Sequence, residues 1–156
     1  AENSTFRASV KNSGEKGLPI YAECGGLIYL GESISLEGEV YPLTGIFPIK
    51  FGMAVKPQAH GYSTCVVEKD NPFYKKGTLF KGHEFRYSTV LEYEPSGNEH
   101  FSLKLERGTG FMDKQDGLVY KNVFALYTHV HADGTPEWAP GFVSTCRKYR
   151  DNREDA

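Results

Sequence analysis

Tyr21–Ala22–Glu23–Cys24–Gly25–Gly26–Leu27–Ile28 is the stretch on which the reading of this chain turns. Upstream, Leu18, Pro19, Ile20 and Tyr21 form a short apolar run suited to a buried strand. Downstream, Leu27, Ile28 and Leu30 recur at helical spacing before Gly31. Cys24 therefore falls where a strand turns sharply into a helix, the layout of a nucleophile elbow. Gly25 and Gly26 lack a β-carbon, so the chain can turn abruptly and a substrate can approach the backbone. A sulfur held there lies beside the first free N–H groups of a helix, which favour a thiolate and can donate to an oxyanion. C-G-G alone is equally compatible with a small buried cysteine beside a strand-ending glycine pair.

Working outward, the 156 residues suffice for one domain with a substantial core and are too few for two. With 39% hydrophobic and 24% charged residues the composition is that of a globular protein. A formal net charge of −2 leaves no electrostatic footprint for nucleic acid. No apolar run is long enough for a membrane span and no signal-peptide pattern opens the chain. The three cysteines are widely separated, show no C-x-x-C metal spacing and suit a reduced, cytoplasmic protein. Cys65 and Cys146 read as structural.

A helix near 3–14 precedes the elbow strand near 18–23, and a short helix near 25–31 follows it. Residues 33–48 are turn-rich, with short strands or a loop. Strands are expected near 58–68, 78–93 (one or two), 101–105 and 117–120. The apolar run Val123–Phe124–Ala125–Leu126–Tyr127 continues to His129 and His131 and reads as one strand. Thr135–Pro136 looks like the start of a last helix carrying Trp138, Phe142 and Cys146, with Thr135 as its cap and a charged tail from Arg147 onward. The order points to an α/β protein with a strand-rich insertion. A doubly wound domain places several strands before such an elbow, so the chain reads as a piece of a longer one.

A cysteine nucleophile needs a histidine partner. His100 lies in a polar loop and His60 heads a strand. His129 and His131 sit at the carboxyl end of an apolar strand, where catalytic groups collect in open α/β sheets, and their spacing puts both on one face with Thr128 and Val130 on the other. Two histidines without further ligands do not make a metal site, so no metal is expected. In Gly82–His83–Glu84–Phe85–Arg86–Tyr87–Ser88 polar and aromatic residues alternate, placing His83, Phe85 and Tyr87 on one face and Glu84, Arg86 and Ser88 on the other. Such a strand either faces a cleft or is a solvated edge.

Three segments in this order, Leu18 to Leu27, Lys81 to Ser88, and Asn122–Val123–Phe124–Ala125 leading to Tyr127–Thr128–His129–Val130–His131, resemble the glutamine amidotransferase domain of the cobyrinic acid a,c-diamide synthase family. The resemblance implies a class I glutamine amidotransferase-like (flavodoxin-like) sheet, N-terminally truncated here, with residues 1–156 forming a glutaminase domain fragment. It implies Cys24 as nucleophile, His129 as its acid and base, and His131 as a supporting neighbour. Gly25, Gly26, His83, Glu84 and Tyr87 are the expected substrate-binding positions. It implies glutamine as substrate and an N-terminal ATP-binding domain using Mg-ATP. The acceptor, at the domain interface, would be a corrin, or a nickel-sirohydrochlorin in a related branch. The chain has no G-x-x-x-x-G-K-[ST] phosphate loop, and the glycine-rich loop that completes the family's oxyanion hole lies outside it. The family often has histidine at the position of Arg86, and Glu137 is not at the spacing of the usual third triad member. A stand-alone cysteine hydrolase and a non-catalytic binding module are the competing classes.

Overall fold

The computed structural model describes residues 2–154. Helix α1 (Ser4–Glu15) begins where the Asn3 side chain accepts the Phe6 N–H, a side-chain cap on an otherwise orphaned donor. It leads into strand β1 (Ile20–Glu23), the elbow, and the short helix α2 (Gly25–Leu30). Strands β2 (Ser33–Leu36), β3 (Glu39–Pro42), β4 (Ile49–Met53), β5 (Ala59–Val67), β6 (Leu79–Arg86), β7 (Ser88–Tyr93), β8 (His100–Arg107), β9 (Gln115–Tyr120), β10 (Val123–Leu126) and β11 (His129–Val130) follow. A 3-10 turn at Ala132–Gly134 and helix α3 (Trp138–Glu154) complete the order.

The strands form a seven-stranded sheet, β1-β10-β9-β8-β5-β6-β11, and a four-stranded sheet, β3-β2-β4-β7. In the larger sheet only β1 and β10 run parallel; every other pairing is antiparallel. Alternation sorts the side chains of the central strands to two cores. Ile20, Ala22, Val123 and Ala125 face α2 and the small sheet, where Leu27, Phe47, Ile49 and Phe51 are buried. Tyr21, Phe124 and Leu126 face the other way, onto Phe73, Tyr74, Trp138 and Phe142. Tyr21 is the hub of this second core, with Phe73, Tyr74, Phe124 and Trp138 all within 6.3 Å of its ring centre.

The α/β class with a strand-rich insertion holds, with corrections in detail. The run from Val123 to His131 is two strands, not one. β10 lies beside β1, and β11 lies at the far end of the order beside β6, yet only Tyr127 and Thr128 separate them. The sheet must therefore curl until its last strand approaches its first. Asp116, fully buried, holds the break: its carboxylate accepts the N–H groups of Tyr127 and Thr128 and the Thr128 hydroxyl at 3.0–3.1 Å. Thr135 does not cap α3 with its side chain; its hydroxyl is buried without a partner, and the helix starts at Trp138 and runs on through the charged stretch after Arg147. No helix among the described residues is long and apolar enough to cross a membrane.

Burial outweighs the donors around Asp116 and pushes its carboxyl up to about 6 from 3.8. Between these values the folded chain holds a proton that the unfolded chain has released, so this group's stabilisation is lost as pH rises from about 4 to 6. Asp116→Asn should be the less stable protein, and the gap to the parent should narrow by roughly 2 kcal/mol between pH 4 and pH 7. Urea denaturation at the two pH values measures it; a gap independent of pH would contradict the raised value.

Candidate active site

The elbow forms at the carboxyl end of β1. Cys24 has φ 46° and ψ −100°, a backbone conformation that L-residues rarely adopt. Its N–H donates to the Leu126 carbonyl at 2.8 Å and its carbonyl accepts the Ile28 N–H at 3.0 Å, so it is tied both to the end of β10 and to α2. The strain falls on the cysteine, not on the glycines that follow. Gly26 is needed for close packing, since a β-carbon there would lie 3.1 Å from that of Ala22. A β-carbon on Gly25 would meet nothing within 4 Å, so the space beside its α-carbon is open. The sulfur is part-buried.

Burial raises the Cys24 thiol above its ordinary value, with the Gly25 N–H and the Arg86 charge pulling the other way. The expectation that the helix start would favour a resting thiolate is thus reversed by burial, and α2 is only one and a half turns long. His129 is pushed down, first by burial and then by His83. A neutral thiol and a neutral imidazole is the resting state this combination defines, with the histidine free to accept a proton.

β11 carries His129 into place. It pairs with β6 in the register His129↔His83 and Val130↔Gly82, and the two imidazoles stack with centres 4.8 Å apart and planes 17° from parallel. Gly82 makes the pairing possible: a β-carbon there would collide with the His129 carbonyl oxygen and the Thr128 methyl. On the other side stands Glu23, the residue before the cysteine. Its Oε1 accepts the Val130 N–H at 3.3 Å and its Oε2 lies 3.8 Å from His129 Nδ1. Through Glu23, the elbow and the histidine strand meet at one corner of the sheet.

The remaining expected residues divide. His131 lies beyond β11, exposed at the entry to the 3-10 turn rather than within the strand. Tyr87 is 37% exposed and stacks edge-on against Phe85, on the open face with His83. Glu84 is a correction: it is 3% exposed, and its two carboxylate oxygens accept the N–H groups of Thr109 and Gly110 at 2.6 and 2.7 Å, so it braces a turn and cannot face a ligand. The turn needs glycine, since Gly108 and Gly110 have φ +111° and +71°. Arg86, also buried, donates to the carbonyls of Ser88 and Gly110, and its guanidinium lies 3.9 Å from the centre of the Tyr127 ring. The polar side of β6 is therefore a buried brace, neither cleft lining nor solvated edge.

Cys65 is buried beside the Thr128 hydroxyl at 3.6 Å, and burial pushes its thiol up to about 12, which fits a structural role. Sequence reading missed Glu23, Gly82 and Asp116 as supports of the site. Two had a signal: Glu23 adjoins the nucleophile in sequence, and Gly82 opens the His83 motif.

This arrangement of sheet, elbow and histidine strand is that of the glutamine amidotransferases. A solved glutamine amidotransferase crystal structure superposes with a TM-score of 0.65 at 18% identity, covering 94% of this chain and 71% of its own. The structure of PurLQS from Thermotoga maritima gives 0.61 at 15% identity, covering 92% and 68%. The family model described as the CobB/CobQ-like glutamine amidotransferase domain matches residues 1–137, and the chain belongs to that family. Among curated proteins, the cobyrinate a,c-diamide synthase of Methanosphaera stadtmanae is 37% identical over 145 residues, covering 93% of this chain and 31% of the relative. That of Streptococcus sanguinis is 45% identical over 132 residues, covering 83% and 28%. The chain thus spans less than a third of the length of either.

Proposed function

We propose that this chain is the glutamine-hydrolysing part of a cobyrinate a,c-diamide synthase, releasing ammonia for amidation of the a and c carboxylates of a corrin precursor in cobalamin biosynthesis. The observation that carries the reading is the corner at which Glu23, next to Cys24 on the strained elbow, reaches the main chain of Val130 and the side chain of His129. The curated relatives bear the synthase name, and this favours a corrin over a sirohydrochlorin acceptor.

In this reading His129 takes the thiol proton as Cys24 attacks the side-chain amide carbon of glutamine. The oxygen that becomes anionic is held by N–H groups at the start of α2, beside the open space at Gly25. His129 returns the proton to the departing ammonia, leaving a γ-glutamyl thioester. Water, with its proton drawn off by the same imidazole, releases glutamate and restores the thiol. Mg-ATP would activate the acceptor carboxylates in the remaining part of such a synthase. No phosphate loop occurs in this chain, so none of its residues is assigned to ATP. Partner and acceptor would meet the domain near the corner from which ammonia leaves. Three unpaired thiols support a reducing compartment, the cytoplasm.

Ammonia release from glutamine measures the reading directly. His129→Ala should lower kcat by a hundredfold or more while leaving KM within a few-fold. Because a protonated imidazole cannot act as base, activity should fall as pH drops through the His129 value, which burial sets below 6.5. Undiminished turnover in His129→Ala, or an acid limb above pH 7, would contradict it.

A further inference from the structure

Glu23 lies on the face of β1 opposite Ala22, alongside Tyr21, and so points to the side of the sheet where β11 arrives. Its two oxygens address two parts of that strand: the main chain at Val130 N and the side chain at His129 Nδ1. The carboxylate is about one-quarter exposed and the imidazole about one-third, so water weakens the pair only in part. On its other side Glu23 is near the Tyr21 hydroxyl, which itself pairs with the Tyr74 hydroxyl at 2.9 Å. The Tyr21 ring is fixed by four aromatic neighbours, so the far end of this chain of contacts is rigid. The ring plane of His129 is set independently by stacking on His83.

We propose that Glu23 is the positioning residue that completes the Cys24–His129 pair, fixing the imidazole as the Nδ1–H tautomer so that Nε2 is the nitrogen left to exchange protons with thiol and substrate. This rests on the glutaminase reading above. An imidazole carries one proton when neutral, and an acceptor at Nδ1 decides where it sits. A carboxylate there also steadies the imidazolium that forms when the thiol proton is taken up. At 3.8 Å the contact is longer than a hydrogen bond, and the proposed role requires it to shorten in the substrate complex, as catalytic hydrogen bonds commonly do. The device differs from a carboxylate placed downstream on the histidine's own strand. Here the nucleophile and the group that orients its base are consecutive residues, so the elbow that strains Cys24 also sets Glu23.

The test uses Glu23→Gln and Glu23→Asp. Nitrogen-15 NMR of labelled histidine reads the His129 tautomer, and glutamine hydrolysis reads kcat and KM. Glu23 on β1 and His83 on β6 are the titratable groups seen against His129 among the described residues, and Cys24 is its reaction partner, so His83→Phe and Cys24→Ala are measured in parallel to separate the three. Glu23→Gln should move neutral His129 toward Nε2–H, lower its pKa, and cut kcat about a hundredfold with KM within twofold. Glu23→Asp, which keeps the charge at shorter reach, should restore the Nδ1–H form and about tenfold of the lost rate. A retained Nδ1–H tautomer with kcat within threefold of the parent in Glu23→Gln overturns the proposal. A parent that holds the Nδ1–H tautomer but does not hydrolyse glutamine leaves the positioning role standing and sinks the glutaminase reading instead.

Discussion

Cys24→Gly should give a protein that melts higher than its parent and no longer hydrolyses glutamine. The backbone at Cys24, φ 46° and ψ −100°, costs an L-residue roughly 1–3 kcal/mol, and glycine adopts it without a β-carbon clash. Glycine's extra freedom in the unfolded chain takes back about 0.5–1 kcal/mol. The net gain of about 1 kcal/mol corresponds to a rise in Tm of about 2–4 °C for a domain of this size. Removal of the nucleophile should cost about 10⁴-fold or more in kcat, since the thioester cannot form. Cys24→Ala separates the two effects, because it is equally inactive but keeps the strain and should melt no higher than the parent. Scanning calorimetry of the three proteins decides it. If glycine lowers the melting temperature, the elbow is not held under strain.

Gly82→Ala should cost about a hundredfold in kcat and about 1–3 kcal/mol in stability, for a reason that lies between strands. The added methyl would collide with the His129 carbonyl oxygen, a backbone atom that no change of rotamer can move aside. β11 has only two residues paired to β6, so it must shift outward as a unit and take the imidazole with it. A displacement of about 1 Å in a reacting group is enough for a hundredfold loss, and overpacking supplies the stability cost. The loss should appear in kcat, with the His83–His129 ring contact weakened in NMR spectra. Full activity with the contact intact would show that β6 does not position the histidine.

The elbow was legible because its signals are local. An apolar run, a cysteine, two glycines and a resumed helical spacing lie within thirteen residues, from Leu18 to Leu30. The histidine segment was legible as a segment but not as a shape. Its division into β10 and β11 depends on Asp116, which comes earlier in the chain and reaches Tyr127 and Thr128 only once β9 and β10 have paired. Alternation in β6 correctly divided His83, Phe85 and Tyr87 from Glu84, Arg86 and Ser88. It could not say which side was buried, because polar residues turn inward only when backbone groups such as those of Thr109 and Gly110 are there to meet them. Likewise no periodicity tells that Glu23 faces His129, more than a hundred residues away. The helix start was expected to lower the Cys24 thiol. Burial outweighs it, and burial is a property of the assembled sheets.

Covalent labelling tests the central claim, that Cys24 attacks the side-chain carbonyl of glutamine. The chain is incubated with a diazo-ketone analogue of glutamine and digested, and its three cysteine-containing peptides are weighed. A single adduct on the Cys24 peptide, prevented by excess glutamine and slowed in His129→Ala, is the predicted result. Labelling at Cys65 or Cys146, or none at Cys24 while glutamine is being hydrolysed, would contradict it.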